Sequence, residues 1–209
     1  MSESLSEVLS NQIDLLKSLK GQQIKEMIHY LWDPPEQVLA ETIEYDLDHP
    51  ATPDEIFSYA LGSLYITFES GLAVTFGSVP SLASVNICSV PPEEQDITDD
   101  EDDNPIFASD PIYSNEFWKS ILGQTIAMVQ IIKKKLEGMN YLSYLPYDAG
   151  LLIKLENGTH FIASHGLHDN SDSFSVIVES QIDPEIRNNL VFMNLESIVS
   201  NSKYGLKEN

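Results

Sequence analysis

Two short patterns occur twice in this chain of 209 residues, and their spacing restricts how the chain can fold. Residues 18–24 and 120–126 carry Ser, Gly, Gln and Ile at matching positions, 102 residues apart. Residues 68–71 and 155–158 carry Glu and Gly at matching positions of a predicted hairpin turn, 87 residues apart. The two patterns together predict a tandem repeat of two similar units.

Each unit is predicted to be a short helix packed on an antiparallel β-meander, because three strands need a helix or a second sheet to bury one face. This makes the chain an α+β protein. Helices are expected over residues 4–19 and 113–122, where apolar residues recur at three- and four-residue steps. We place an acidic first unit, with a long insertion and an acidic linker, at residues 1–104. The second unit, a repeat of the first, takes residues 105–209.

The hairpins are the clearest local signal. Apolar runs flank Ser70-Gly71 in the first unit and Asn157-Gly158 in the second, which predicts two hairpins with two-residue turns. With such a turn, Leu155 would face His160 on an apolar strand face. Closing strands are expected at residues 82–88 and 173–179.

The first unit is predicted to contain an insertion between Asp33 and Gly62. The two repeat offsets differ by fifteen residues, and this difference must fall between the Gly-Gln strand and the hairpin. Asp33-Pro34-Pro35 ends the preceding strand, since proline removes backbone donors. Within the insertion we expect a strand at residues 38–45 and a helical turn after Pro53.

Charge is distributed unevenly along the chain, whose formal net charge is −22. Residues 26–118 hold twenty of the thirty-three acidic residues and no Lys or Arg, whereas residues 119–209 hold ten acidic and eight basic residues. Eight carboxylates fall within residues 93–103, a density that favours an extended, solvated chain. This charge disfavours direct contact with nucleic acid or an anionic membrane.

The remaining composition indicates a cytoplasmic protein. The single cysteine, Cys88, lies in an apolar run and is interpreted as a buried structural residue. The first residues contain no basic region followed by an apolar one, and no apolar run reaches the length of a membrane span. We therefore expect neither secretion nor a membrane partner.

Catalytic and metal-binding patterns are weak. The sequence has no Gly-rich phosphate loop, no Gly-x-Ser-x-Gly and no His-Glu-x-x-His. The best candidate site is the set of histidines and nearby carboxylates His160, His165, His168, Asp169 and Asp172. The predicted register points His160 away from the others, so one strand histidine and two loop histidines are favoured. We expect no catalytic residue, no cofactor and no enzyme activity, with a metal-binding module or metal-dependent enzyme as the alternative.

The only basic cluster is Lys133-Lys134-Lys135, near the end of a predicted strand. We expect it to protect a sheet edge or to pair with the acidic half rather than to bind phosphate.

The combination of these features resembles a known class of proteins. The helix leading into Gly-Gln-x-Ile, the turns Phe-Glu-Ser-Gly and Leu-Glu-Asn-Gly, and the strong acidity are similar to the immunity proteins that bacteria encode beside polymorphic or type VI-delivered toxins. The resemblance is one of overall style across most of the chain. It implies a non-enzymatic inhibitor that binds a cognate toxin with a basic surface, such as a nuclease, and covers its active site.

Carboxylates are the residues expected to bind the toxin, because they could occupy the places where a nuclease binds phosphates. They are Glu41, Glu44, Asp46 and Asp48 in the insertion and Asp99, Asp100, Glu101, Asp102 and Asp103 in the acidic run. A DNA mimic that inhibits a nucleic-acid enzyme is a second possibility with the same electrostatics. The residues leave the oligomeric state open.

Overall fold

The computed structural model describes residues 7–45, 47–94, 104–135, 147–169 and 171–197. Within these ranges, ten strands form two antiparallel sheets. The first sheet contains β1 (Ile24–Leu31), β2 (Gly62–Phe68), β3 (Ala73–Val79), β4 (Ser84–Ser89) and β5 (Asn104–Phe107). The second contains β6 (Ile126–Lys134), β7 (Asp148–Leu155), β8 (His160–His165), β9 (Phe174–Ile177) and β10 (Leu190–Asn194).

The helices are short. They are α1 (Ile13–Ser18), α2 (Pro35–Glu44), α3 (Ile56–Tyr59), α4 (Glu116–Ile121) and α5 (Pro184–Arg187). Single turns of 3₁₀-helix cover Leu9–Asn11, Pro53–Glu55, Pro80–Leu82, Pro92–Glu94, Glu179–Gln181 and Leu195–Ser197. None of the helices in the described ranges has the length and apolar character needed to cross a membrane. With short helices and two antiparallel sheets in the described residues, the chain is α+β, which confirms the predicted class.

Both sheets have the same strand order. Four consecutive strands form a meander, and the fifth pairs on the other side of the first, giving β4-β3-β2-β1-β5 and β9-β8-β7-β6-β10. Because β5 pairs with β1, the first sheet extends past residue 104 to Phe107. The hydrophobic pattern does not predict β5, a four-residue edge strand that contains Pro105.

The two sheets share one core. Met27 and Phe76 of the first sheet belong to the same cluster of buried side chains as Leu151 and Phe161 of the second. Trp118 of α4 is buried in this cluster as well. A separate cluster packs α3 and α5 on the other face of the second sheet. Both sheets thus bury their facing sides against each other.

The repeated Gly-Gln segments meet where the sheets begin. Gly21 N donates to Ile126 O, and Gly123 N donates to Ile24 O, each at 2.8 Å. Gly21 and Gly123 have φ of +84° and +78°, a conformation in which side-chain-bearing residues are strained. The repeated sequence therefore adopts the same backbone conformation twice.

The hairpin turns are longer than the predicted two residues. Gly158 N donates to Leu155 O, and Gly158 has φ of +87°, as in hairpins with a longer loop that ends in a left-handed residue. Gly71 has the corresponding φ of +86° in the first hairpin. The longer turn shifts the pairing, so His160 faces Lys154. The prediction that His160 faces Leu155 is wrong for this reason.

The insertion between β1 and β2 contains a helix where the sequence pattern predicts a strand at residues 38–45. Helix α2 begins at Pro35. Proline is favoured in the first turn of a helix, because the backbone N–H that it lacks would have no partner there. Val38 and Leu39 pack against the core and Thr42 is buried, which is a helical spacing rather than a strand alternation. The strand prediction is therefore wrong. The predicted helical turn after Pro53 is confirmed.

Candidate functional site

The outer side of α2 is exposed and acidic. Since Val38, Leu39 and Thr42 face inward, the opposite side of the helix faces solvent. The side chains exposed there are Glu36, Gln37, Ala40, Ile43 and Glu44. Tyr113 Oη donates to Glu36 Oε1 at 2.7 Å, and this hydrogen bond lowers the pKa of Glu36 from its ordinary value.

Large apolar side chains are exposed around this helix. Trp32, Ile43 and Tyr45 are 72%, 83% and 66% exposed. With Leu47 and Leu61, five of the eight exposed large hydrophobic side chains in the described part of the chain lie between residues 32 and 61. Single exposed apolar residues are common, but a concentration of them is typical of a surface that binds another protein.

Backbone hydrogen bonds join Trp32 to Leu61 and attach Leu47 to α2. Trp32 N donates to Leu61 O at 3.0 Å, and Leu47 N donates to Thr42 O at 3.0 Å. Tyr45 N donates to Glu41 O at 2.9 Å and ends the helix. We call the resulting surface the acidic face; its residues are Trp32, Asp33, Glu36, Glu41, Ile43, Glu44, Tyr45, Leu47, Asp48 and Leu61.

Three of the predicted toxin-binding carboxylates can be located. Glu41, Glu44 and Asp48 all belong to the acidic face, where Glu44 and Asp48 are exposed and Glu41 is half-buried. The other predicted carboxylates lie outside the described residues; they are Asp46, Asp99, Asp100, Glu101, Asp102 and Asp103. Glu41 lies on α2 one helical turn before Glu44, and Asp48 follows Leu47 in the chain.

A cleft of about 230 Å³ opens beside α2. The insertion lines it with Asp33, Glu41, His49 and Tyr59, and the loop after β8 lines it with His168 and Asp169. The cleft therefore lies between residues that are more than a hundred positions apart in the sequence.

Three rings form the inner wall of the cleft. The His49 ring stacks on Tyr59, with centroids 4.4 Å apart and an interplanar angle of 18°. The His168 ring lies 5.0 Å from Tyr59 and 6.5 Å from His49. Burial lowers the pKa of His168, although Asp169 opposes this shift, and burial raises the pKa of Tyr59 to about 12. Tyr59 and His168 are therefore uncharged at neutral pH.

The three histidines of the second unit do not converge. His160 Nε2 lies 3.5 Å from Glu179 Oε2, whereas His165 Nδ1 lies 2.5 Å from Ser78 Oγ in the first sheet. His168 faces the cleft. In the ranges that the structure describes, no three His, Cys, Asp or Glu side chains are placed to hold a metal ion. The geometry gives no support to the alternative metal site with His165, His168, Asp169 and Asp172.

Ser78, His165 and Asp172 are the residue types of a hydrolase triad, but their geometry differs from one. Asp172 is 82% exposed, and its Oδ1 lies 3.7 Å from His165 Nε2, which is beyond hydrogen-bonding distance. The carboxylate therefore does not orient the ring as the third member of a triad would. The contact between Ser78 and His165 links β3 to β8 across the two sheets.

Cys88 is half-buried in β4. Burial, together with nearby Glu7, raises the pKa of its thiol to about 11. The thiol is therefore protonated at neutral pH, and a protonated thiol is a poor nucleophile.

The apolar part of the acidic face is missed by the sequence patterns. They place Trp32 at the end of a strand and Ile43 and Tyr45 within another, where side chains would be at least half-buried. The sequence does contain a pattern that predicts this helix, because Pro35 followed by Glu36 and Gln37 is typical of a helix start. A helix that begins at Pro35 places Ile43 on the same side as Glu36.

The acidic face and the cleft adjoin, because Asp33, Glu41 and Leu47 belong to both. Together they expose large apolar side chains beside carboxylates that have no neighbouring Lys or Arg in the sequence. In comparisons with known proteins, no protein-family model, no curated protein and no solved structure matches this chain.

Proposed function

We propose that this protein is an immunity protein that binds a basic protein toxin through the acidic face and covers its active site without catalysing a reaction. One observation carries the proposal. Trp32, Ile43 and Tyr45 are exposed among carboxylates, in a region without Lys or Arg. Aromatic and aliphatic anchors surrounded by complementary charge are the usual composition of an affinity-determining interface centre.

The charge supports a cationic partner. A chain with a net charge of −22 repels nucleic acid and anionic lipid but attracts a protein with a basic groove. The Lys and Arg residues of such a partner would also relieve repulsion among the carboxylates of the acidic face. A nuclease toxin fits because its groove binds phosphates, and carboxylates can take their place.

The apolar side chains support a protein interface beyond charge mimicry. Charge mainly raises the association rate, whereas well-packed apolar anchors slow dissociation. A surface that only imitated DNA phosphates would not need an exposed Trp or Ile. Inhibition of a nucleic-acid enzyme by DNA mimicry is therefore the second candidate, and the partner's identity separates the two.

The first test captures the partner with the full-length chain, tagged and expressed in its native host. The captured protein is then expressed in a second host with and without this chain. We expect a basic protein whose toxicity this chain suppresses. Failure to suppress toxicity would contradict the immunity proposal, and a non-toxic nucleic-acid enzyme as the partner would favour mimicry.

The second test measures the affinity of variants for the captured protein. We expect Ile43→Ala to weaken binding by about tenfold or more, because an interface anchor is truncated. Phe192→Ala, which truncates an exposed apolar side chain on β10, serves as the matched control. Glu44→Gln combined with Asp48→Asn should slow association and reduce its dependence on salt. Equal affinities of the Ile43 and Phe192 variants would place the interface elsewhere.

A further inference from the structure

The cleft beside α2 has the size of a single side chain. Its volume is about 230 Å³, whereas pockets for small molecules measure about 300–1,000 Å³. It opens onto the acidic face, since Asp33, Glu41 and Leu47 belong to both. A protein docked on the acidic face can therefore insert one side chain into the cleft.

The rim of the cleft is negative on two sides. Gln37 Nε2 donates to Glu41 Oε1 at 2.9 Å and lies 3.4 Å from Asp33 Oδ1, so one amide holds both carboxylates at the same rim. Asp169 lies on the loop after β8, on the other side. No Lys or Arg occurs among the described residues that line the cleft. The rim thus favours a cationic occupant.

The inner wall is formed by three aromatic rings. His49 stacks on Tyr59, and the ring of His168 lies 5.0 Å from Tyr59. Burial lowers the pKa of His168, so this ring is neutral at physiological pH. His49 keeps about 40% of its side chain exposed, which leaves ring surface for a ligand.

We propose that the cleft binds the guanidinium group of an arginine side chain of the protein partner, an inference that rests on the proposed function. A guanidinium group is planar, so it can stack on an aromatic wall while its N–H groups donate to carboxylates. Its forked donors also suit two carboxylates that are held at one rim. A lysine ammonium group has neither the flat face nor the fork. The cleft therefore selects arginine over lysine.

The test is an NMR titration of the full-length protein with three capped amino acids at about pH 7.5. The probes are the N-acetyl N-methylamides of arginine, lysine and citrulline. We expect the arginine probe to shift the ring resonances of His49 and His168 in a saturable way, with millimolar affinity. The lysine probe should bind at least about threefold more weakly, because it cannot stack. Citrulline has the same shape without the charge and should cause no saturable shift.

Variants identify the groups responsible. Asp33→Asn combined with Glu41→Gln should weaken binding of the arginine probe by about fivefold or more. Glu156→Gln combined with Glu185→Gln removes the same charge from exposed positions that do not line the cleft, and should leave binding unchanged. His49→Ala should weaken arginine more than lysine, because it removes the stacking surface. Amide spectra of each variant verify that it is folded.

The outcomes separate this inference from the proposed function. Equal binding of the arginine and lysine probes, or arginine binding unaffected by the Asp33/Glu41 variant, overturns the arginine inference. A cleft variant that keeps full affinity for the captured partner, while Ile43→Ala loses it, overturns the inference and leaves the proposed function standing. Arginine-probe binding in the cleft, combined with a captured partner whose toxicity this chain does not suppress, overturns the proposed function instead.

Discussion

His29 on β1 shows how burial controls the charge of a single residue. Its ring lies between Phe57 and Phe174, with centroid distances of 6.0 and 5.9 Å. Nδ1 donates to Phe57 O at 2.8 Å, and Nε2 has no hydrogen-bond partner in the part of the chain that is described. Burial lowers the pKa of His29 to about 4, although the bond to Phe57 opposes the shift. The ring is therefore neutral in the folded protein at pH 7.

Because of His29, the free energy of unfolding should decrease as the pH falls from 6.5 towards 4. In this window the unfolded chain binds a proton at His29 and the folded protein does not, so acidification favours unfolding. The full difference is on the order of 3 kcal/mol. Urea unfolding of the wild type and of His29→Gln, at about pH 7.5 and about pH 4.5, measures the effect. The other titrating groups are the same in both proteins, so the difference between their pH dependences is due to His29. An identical pH dependence in the two proteins would contradict the expectation.

Asp148 is a fully buried carboxylate at the start of β7. Ser10 N, Ser10 Oγ and Lys133 Nζ each approach its oxygens to 2.6 Å. These bonds connect the N-terminal 3₁₀ turn to the second sheet. The predicted edge role of Lys133-Lys134-Lys135 is wrong, because β6 is an inner strand that pairs with both β7 and β10. Lys133 instead pairs with a carboxylate in the second unit.

Replacing Lys133 by Met should destabilise the protein by about 3 kcal/mol, because it leaves the Asp148 charge buried without its cation. The matched control is Lys119→Met, which removes a lysine from an exposed pair with Glu116. That change should cost less than about 1 kcal/mol. Urea unfolding at neutral pH measures both values, and similar losses would mean that the Asp148 network contributes little.

The two Gly-Gln segments occupy equivalent places among the structural elements. Each hairpin turn is hydrogen bonded to the Gly-Gln segment of its own unit: Glu69 N donates to Gln23 O at 3.0 Å, and Glu156 N donates to Thr125 O at 2.9 Å. These are the two patterns on which the repeat prediction depends. The structure places them at matching positions of two sheets with the same strand order. Tandem duplication as their origin stays a prediction.

Equivalence of the two segments predicts equal costs for Gly21→Ala and Gly123→Ala. A Cβ atom at either position would meet no atom within 4 Å, so the cost is backbone strain alone, about 1 kcal/mol. Gly62→Ala should cost clearly more, because its Cβ would lie 1.9 Å from Tyr30 O and disturb the pairing of β1 with β2. Chemical unfolding of the three variants checks this order. Unequal losses at Gly21 and Gly123 would argue against equivalent elements.

At the scale of the whole molecule, the shared core couples the two sheets. The buried cluster contains side chains from strands of both sheets, and the residues just before β1 and β6 are joined by an isolated bridge between Gln23 and Thr125. Separating the sheets would expose the apolar faces that now cover each other, and exposure of apolar surface is unfavourable in water. The two predicted units are therefore not expected to be independent in stability.

We expect the chain to unfold in a single cooperative transition. Scanning calorimetry should give equal calorimetric and van't Hoff enthalpies, the usual criterion for two-state unfolding. A fragment of residues 1–107 should lack a cooperative transition, because its core-facing side chains lose their partners in the second sheet. Two resolved transitions, or a fragment that unfolds cooperatively, would show that the sheets are stable separately.

The sequence predicted the parts of the fold that depend on near neighbours. The hairpin segments, the helix within residues 113–122 and the charge asymmetry follow from residues a few positions apart. The helix predicted over residues 4–19 is wrong before Ile13 in the described residues, because Val8 forms a β-bridge with Asn86 and Leu9–Asn11 form a 3₁₀ turn. Errors arose where a longer-range contact decides. The hairpin register was predicted wrongly because the turn is one residue longer than expected. Residues 38–45 were predicted as a strand because the sequence does not show which of their side chains meet the core. Of the candidate site, the sequence predicted Glu41, Glu44 and Asp48 but none of the apolar anchors.

By itself, the sequence determined where the chain turns and where its charge accumulates, because glycine conformation and charge density are local properties. Only the tertiary structure decided that Trp32 and Ile43 face solvent beside those carboxylates. It alone brought His168 and Asp169 to the cleft that Glu41 lines. Exposure and proximity depend on contacts between residues far apart in the chain, and these contacts form only when the insertion packs against the second sheet.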